Sequence, residues 1–180
     1  MKKYWKENGK GWLKAVLCAA IAVSIIKYFI FLPVSIDGSS MFPTFQQNDQ
    51  IIVETIHQIN RFDVIVFRDS SNRTFVKRVI GLPGESIRYE NDQLFIDDEP
   101  INEQFLENDY VKTAGGVWTS NFTLENLTGE ALVPEGHYFV LGDNRRLSHD
   151  SRYYGPIPAE MIIGEAVMVY YPFERISIVN

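Results

Sequence analysis

Residues 11–36, GWLKAVLCAAIAVSIIKYFIFLPVSI, constrain this chain more than any other stretch. About 20 mainly apolar residues are enough to cross a bilayer as a helix, and Trp12 to Leu32 supplies them. Lys27 interrupts the run, but a lysine near a helix end can extend its amine to the interface. Lys2, Lys3, Lys6, Lys10 and Lys14 come before the bulk of the segment, and after Lys27 no basic residue appears until Arg61. The positive-inside rule then places the N-terminus in the cytoplasm and the rest outside. The expected layout is a cytoplasmic N-terminus at 1–10, a single transmembrane helix as anchor at 11–35, and an extracytoplasmic domain at 36–180. A cleaved leader fits poorly, because the closing residues KYFIFLP are bulky where a cleavage site needs small ones.

Charge divides at the same place. Residues 1–36 hold six lysines and one acid, about +5, against 11 basic and 22 acidic residues in the rest, about -11. An outer domain this acidic repels a phosphate backbone, so nucleic acid is excluded as a partner. The one cysteine, Cys18, lies inside the apolar segment, so no disulfide holds the outer domain. Asn72, Asn121 and Asn126 open Asn-x-Thr sequons, which carry little weight without other signs of a glycosylating host.

The outer domain reads as mainly β. QIIVETI (50–56), DVIVF (63–67), HYFVL (137–141) and EAVMVYY (165–171) are short, rich in β-branched and aromatic residues, and bounded by turn signals. SIRYENDQLFIDDEPI (86–101) has the pattern of a hairpin turning near Asn91-Asp92. From about 102 to 130 the pattern dissolves into polar residues, Gly115-Gly116 and scattered aromatics, a variable elaboration or small inserted subdomain. Trp118 and Phe122 within it are either core residues or a patch that dips into the membrane interface.

Two stretches carry candidate chemistry. GSSMFPT (38–44) puts Ser40 on a turn that Gly38 can bend sharply. FVKRVIGLPGE (75–85) sets Lys77 among Phe75, Val76, Val79 and Ile80, with no acid close by in sequence. A serine hydroxyl needs a base, and a lysine serves only when burial keeps it neutral, about 2.7 kcal/mol for a two-unit drop in pKa. After residue 36 the chain uses nine arginines and two lysines, Lys77 and Lys112. Where this domain merely needs positive charge it takes arginine, which cannot act as a base. Each feature has a plain alternative: an outward-facing strand lysine, and a simple connector between anchor and first strand. With Ser40 as nucleophile, its backbone amide is placed to donate to an oxyanion.

A third stretch, GDNRRLSHDSRYYGPIP (142–158), gathers Asp143, Asn144, Arg145, Ser148, Asp150 and Arg152. Carboxylate–guanidinium pairs brace loops, the expected role of Asp143, Arg145, Asp150 and Arg152, while Ser148 is a candidate to orient the Lys77 amine. His149 gives a rival triad with Ser40 and Asp150, but adjacent residues in an extended loop point apart, so Asp150 is poorly placed to orient it.

In this order behind one N-terminal anchor, GSSMFPT, FVKRVIGLPGE and GDNRRLSHDSRYYGPIP resemble the bacterial type I signal peptidases, and the short single-span chain resembles the Gram-positive form. The resemblance implies a β-sheet-rich catalytic domain and a membrane serine endopeptidase that removes signal peptides. It implies Ser40 as nucleophile, Lys77 as general base, Ser148 in support of that lysine, and Asp143, Asp150 and Arg152 as braces. Gly38 and Ser39 fall in the turn and oxyanion region; some members carry a serine at the position of Gly38. It also implies substrates bound as an extended strand and cut after small residues of A-x-A type. The implied partners are secretory preproteins and the lipid bilayer, with the export machinery a further candidate. No cofactor and no metal is expected. Two other functions compete: a non-catalytic β module binding through Trp118, Tyr153 and Tyr154, and a self-cleaving serine–lysine regulator, which would carry a DNA-binding domain where this chain has an anchor.

Overall fold

The computed structural model describes residues 11–21, 31–55 and 58–179, in two units, Met1–Leu32 and Pro33–Asn180. In the first, residues 11–21 form a helix, α1, exposed along its length. Among the described residues no helix is long and apolar enough to cross a membrane. Residues 22–30 of the expected span, and the expected cytoplasmic stretch 1–10, lie outside the described residues. One boundary needs correction: Phe31–Ser35, assigned to the anchor from sequence, is a strand, β1. It stands at the edge of a sheet, where Pro33 with no N–H to give is tolerated.

The second unit is built from two sheets. The larger contains β1, β2 (Gln50–Glu54), β3 (Val64–Arg68), β4 (Thr74–Gly81), β9 (His137–Leu141), β10 (Ile157–Pro158), β11 (Ile162–Tyr171) and β12 (Ser177–Ile178), in the order β1-β2-β11-β3-β4-β9-β10, with β12 paired to β11. β2 follows simple alternation, Ile51 and Val53 turned inward. β3 is buried on both faces: Val64 and Val66 join one core cluster, Ile65 and Phe67 another. β4 lies against β3 with Ile65 opposite Lys77 and Val64 opposite Arg78. This central placement buries five consecutive residues of β4, Lys77 to Gly81.

The smaller sheet runs β7-β6-β5-β8, with β5 at Ile87–Glu90, β6 at Gln93–Ile96, β7 at Glu99–Ile101 and β8 at Phe122–Thr123. The hairpin expected near Asn91-Asp92 is present, and a second turn at Asp97-Asp98 makes it a three-stranded meander. All four turn residues have φ between 50 and 64°, the left-handed region that Asn and Asp tolerate in two-residue hairpin turns.

Residues 102–130 are more ordered than their composition indicates. They hold a 3-10 turn (Gln104–Leu106), α2 (Asp109–Ala114) capped by Asn108, and α3 (Leu124–Thr128) capped by Thr123. They also supply β8, which closes the edge of the small sheet against β5. Trp118 is 6% exposed and Phe122 packs on the core beneath this sheet, so both are core residues. Elements of two to six residues are too short to show a period, which is why the sequence pattern fades here.

Candidate active site

The nucleophile candidate sits on a tight turn. Gly38 has φ +98°, a conformation that L residues rarely adopt, and its N–H donates to Gln47 Oε1. Phe42 N–H donates to Ser39 O and Phe45 N–H to Met41 O, so the chain winds on itself directly after Ser40. Met41 and Phe45 are buried and pin the inner side of the turn to the core. From the opposite side Asn144 donates its N–H to Ser40 O and its Nδ2 to Ser39 O. The Ser40 N–H has no acceptor among the described residues.

Lys77 reaches this turn from the middle of β4. On a pleated strand it shares a face with Phe75 and Val79, and its residue is 3% exposed. Nζ donates to Ser40 Oγ at 2.8 Å and to Val76 O at 3.0 Å. Burial disfavours the ammonium form and lowers the pKa from 10.5 to about 8, while the charges of Asp150 and Asp143 pull it partly back up. No carboxylate forms an ion pair with Lys77 among the described residues. The two residues selected from sequence, 37 positions apart, are in hydrogen-bond contact, in a cleft of about 630 Å³ whose walls include Ile36, Gly38, Met41, Phe75 and Val76.

Residues 142–150, a loop that leads into a short helix at Ser151–Tyr154, close the site from behind. Asp143 accepts from Arg78 Nε and Nη2 at 2.9 and 2.8 Å, with both side chains 1% exposed, and from Thr44 Oγ1. Asp150 accepts from Gly142 N–H and from Arg152 Nε and Nη2. Arg152 also donates to Arg145 O. Arg145, fully buried, pairs with Glu103 and donates to Tyr89 Oη, Thr119 Oγ1 and Gly142 O.

Ser148 is buried, and its Oγ has no hydrogen-bond partner among the described residues. The bonds of Lys77 go to Ser40 and Val76, not to Ser148. Gly142 lies between the two serines: a Cβ there would fall 2.2 Å from Ser148 Oγ and 2.4 Å from Ser40 O. His149 is exposed at the edge of the cleft and stacks on Tyr153 at 4.6 Å. The oxygens of Asp150 are turned to Gly142 and Arg152, so the rival triad is not assembled.

Several site residues were not singled out from sequence: Arg78, Thr44, Gln47, Glu103 and Tyr89; Asn144 stood out only as a member of the polar 142–158 stretch, with no role of its own. Only Arg78 carried a usable signal, as a second cation beside Lys77 in an otherwise apolar run. Asp143, the partner of Thr44, and Arg145, the partner of Tyr89 and Glu103, lie 42 or more positions away from them, and the Gln47 bond depends on turn geometry.

Over residues 9–171 the chain matches the family described as Signal peptidase, peptidase S26. It is 38% identical over 167 residues to Signal peptidase I V of Bacillus subtilis, a match covering 91% of this chain and 95% of that protein. It is likewise 38% identical over 181 residues to Signal peptidase I of Bacillus caldolyticus, 98% of each chain being covered. A crystal structure of a signal peptidase I from Enterococcus faecalis aligns with a TM-score of 0.57 at 40% identity, covering 61% of this chain and 97% of that one.

Proposed function

The chain belongs to the signal peptidase family, peptidase S26, and from that premise we propose that it is a membrane-bound serine endopeptidase that removes N-terminal signal peptides from exported preproteins. Ser40 is the nucleophile and Lys77 the general base. The observation that carries this reading is the 2.8 Å contact between Ser40 Oγ and the Nζ of a lysine that is 3% exposed.

The chemistry follows from the protonation state. With a pKa of about 8, about 9% of Lys77 is neutral at pH 7, against about 0.03% at the ordinary value. The neutral amine takes the Ser40 proton as Oγ attacks the scissile carbonyl. It returns that proton to the departing amine of the mature chain, leaving an acyl-enzyme. A water deprotonated at Lys77 then releases the signal peptide and regenerates Ser40. The Ser40 N–H faces the developing oxyanion, and such a donor is worth about 3 kcal/mol. A second donor from the turn is unassigned, since Gly38 has no side chain and its N–H is engaged by Gln47. Ser148 supports Lys77: its unpartnered hydroxyl is available to the amine once Oγ is acylated. Asp143, Asp150 and Arg152 brace the loop.

The substrate lies as an extended strand in the cleft beside Phe75, Val76 and Ile36, with small side chains such as Ala before the cut. The apolar N-terminal segment anchors the enzyme with its N-terminus in the cytoplasm and the peptidase domain outside, close to where signal peptides emerge. Cleavage of an exported precursor by wild type, Ser40→Ala and Lys77→Met tests the assignment. Loss of cleavage in both variants is expected; unimpaired cleavage by either one rejects it.

A further inference from the structure

The nucleophile's turn is tied to its surroundings at both ends. Upstream, Ser39 O and Ser40 O accept from Asn144. Downstream the tie is a side chain: Thr44, one turn beyond Ser40, donates its hydroxyl to Asp143 Oδ2 at 2.5 Å. The same oxygen accepts from Arg78 Nη2 at 2.8 Å, and the other oxygen of Asp143 accepts from Arg78 Nε. Arg78 directly follows Lys77 on β4. One carboxylate therefore joins the turn that carries Ser40 to the strand that carries Lys77. Arg78 and Asp143 are each 1% exposed, so their fork is held in a low-dielectric interior, where hydrogen bonds to charged groups are strong and directional.

We propose that Thr44 is a positioning residue for the reaction: its hydroxyl, acting through Asp143 and Arg78, sets the separation of Ser40 Oγ and Lys77 Nζ. The inference rests on the reading of that pair as nucleophile and base. Thr44 touches neither the reacting atoms nor the cleft walls named above, so its removal acts on turnover and leaves substrate binding alone. Valine keeps the shape and loses the donor; serine keeps the donor and loses a methyl group. A displacement of the turn by about 1 Å is enough to slow such a reaction about 100-fold.

The test is steady-state cleavage of a signal-bearing precursor by the full chain in detergent micelles, with kcat and KM measured separately and the melting temperature recorded. Wild type, Ser40→Ala, Thr44→Val and Thr44→Ser are compared, with Thr44→Ala replacing the valine variant should that one fail to fold. Expected are a fall in kcat of about 10- to 100-fold for Thr44→Val, an unchanged KM, and near-wild-type turnover for Thr44→Ser. If wild type cleaves, Ser40→Ala does not, and Thr44→Val keeps its kcat, this inference fails while the assignment of Ser40 stands. Equal losses in the valine and serine variants, or a change confined to KM, also overturn it, since either places the effect outside the hydroxyl. A wild-type chain that cleaves no precursor removes the underlying reading and this inference with it.

Discussion

Lys77→Met is expected to make the enzyme inactive and more stable at once. Methionine keeps the unbranched stem and removes the amine. In the folded chain that amine titrates at about 8 instead of 10.5, chiefly because burial disfavours its charge. At about 1.36 kcal/mol per pH unit, the gap amounts to about 3 kcal/mol by which folding is weakened whenever the lysine must be carried protonated. Losing the bonds to Ser40 Oγ and Val76 O gives back about 1 kcal/mol each, which leaves a net gain of about 1–2 kcal/mol. For a domain of this size that corresponds to a rise in melting temperature of about 3–6 °C.

The pH dependence identifies the cause. Below pH 8 both the folded and the unfolded wild-type chain hold the proton, and the full penalty is present. Between pH 8 and 10.5 the unfolded chain still binds a proton that the folded chain has released, so wild-type stability rises with pH relative to the variant. Above 10.5 neither state binds it and the penalty has gone. Thermal unfolding of both proteins in the same micelles at pH 7 and pH 10, followed by tryptophan fluorescence, reads this directly. All other titrating groups are common to the pair, so the difference in melting temperature isolates Lys77. A variant no more stable than wild type at pH 7, or an advantage of equal size at pH 10, would refute the claim that desolvation sets the state of this amine.

Other outcomes follow from the same geometry. Precursor cleavage measured from pH 6 to 10 should show kcat/KM rising along a limb centred near the Lys77 value of about 8, because only the neutral amine accepts a proton; a profile flat across that range would remove Lys77 as the base. His149→Ala should retain cleavage within about threefold, since a base outside the dyad contributes no proton transfer, and near-total loss would restore the histidine mechanism. Gly142→Ala places a methyl group 2.2 Å from Ser148 Oγ and 2.4 Å from Ser40 O. Single-turnover cleavage by this variant should fall by at least about 100-fold, and wild-type rates would show that the loop yields without moving Ser40.

How much of this was legible in the sequence depends on where each residue's partner lies. The β character of the domain could be read because strand signals are local: β-branched and aromatic runs between turn residues. Ser40 and Lys77 could be read because each departs from its surroundings, one on a glycine-led turn and the other a rare lysine in a domain that otherwise uses arginine. The end of the anchor was misread because Phe31–Ser35 is apolar enough to continue a helix, and only its pairing with β2 makes it a strand. Residues 102–130 looked like an elaboration because their order comes from tertiary contacts: Trp118 Nε1 donating to Asp143 O, and Glu103 meeting Arg145.

Lys77 and Arg78 bring both halves of this contrast into one dipeptide. They are adjacent cations on one strand, 3% and 1% exposed, and the pleat sends them to opposite faces. Arg78 meets both oxygens of Asp143 and stays charged, since a guanidinium remains protonated and burial is tolerable only with such a partner. Lys77 finds a hydroxyl and a carbonyl but no carboxylate at bonding distance among the described residues, and burial then favours its neutral form. Exchange of the two side chains would retain charge, burial and hydropathy, yet leave the nucleophile facing a cation unable to accept its proton. Residue type and pleat together therefore set the base: the lysine is turned to Ser40, while the arginine, unable to serve as a base on either face, is turned to a carboxylate 65 residues further along the chain.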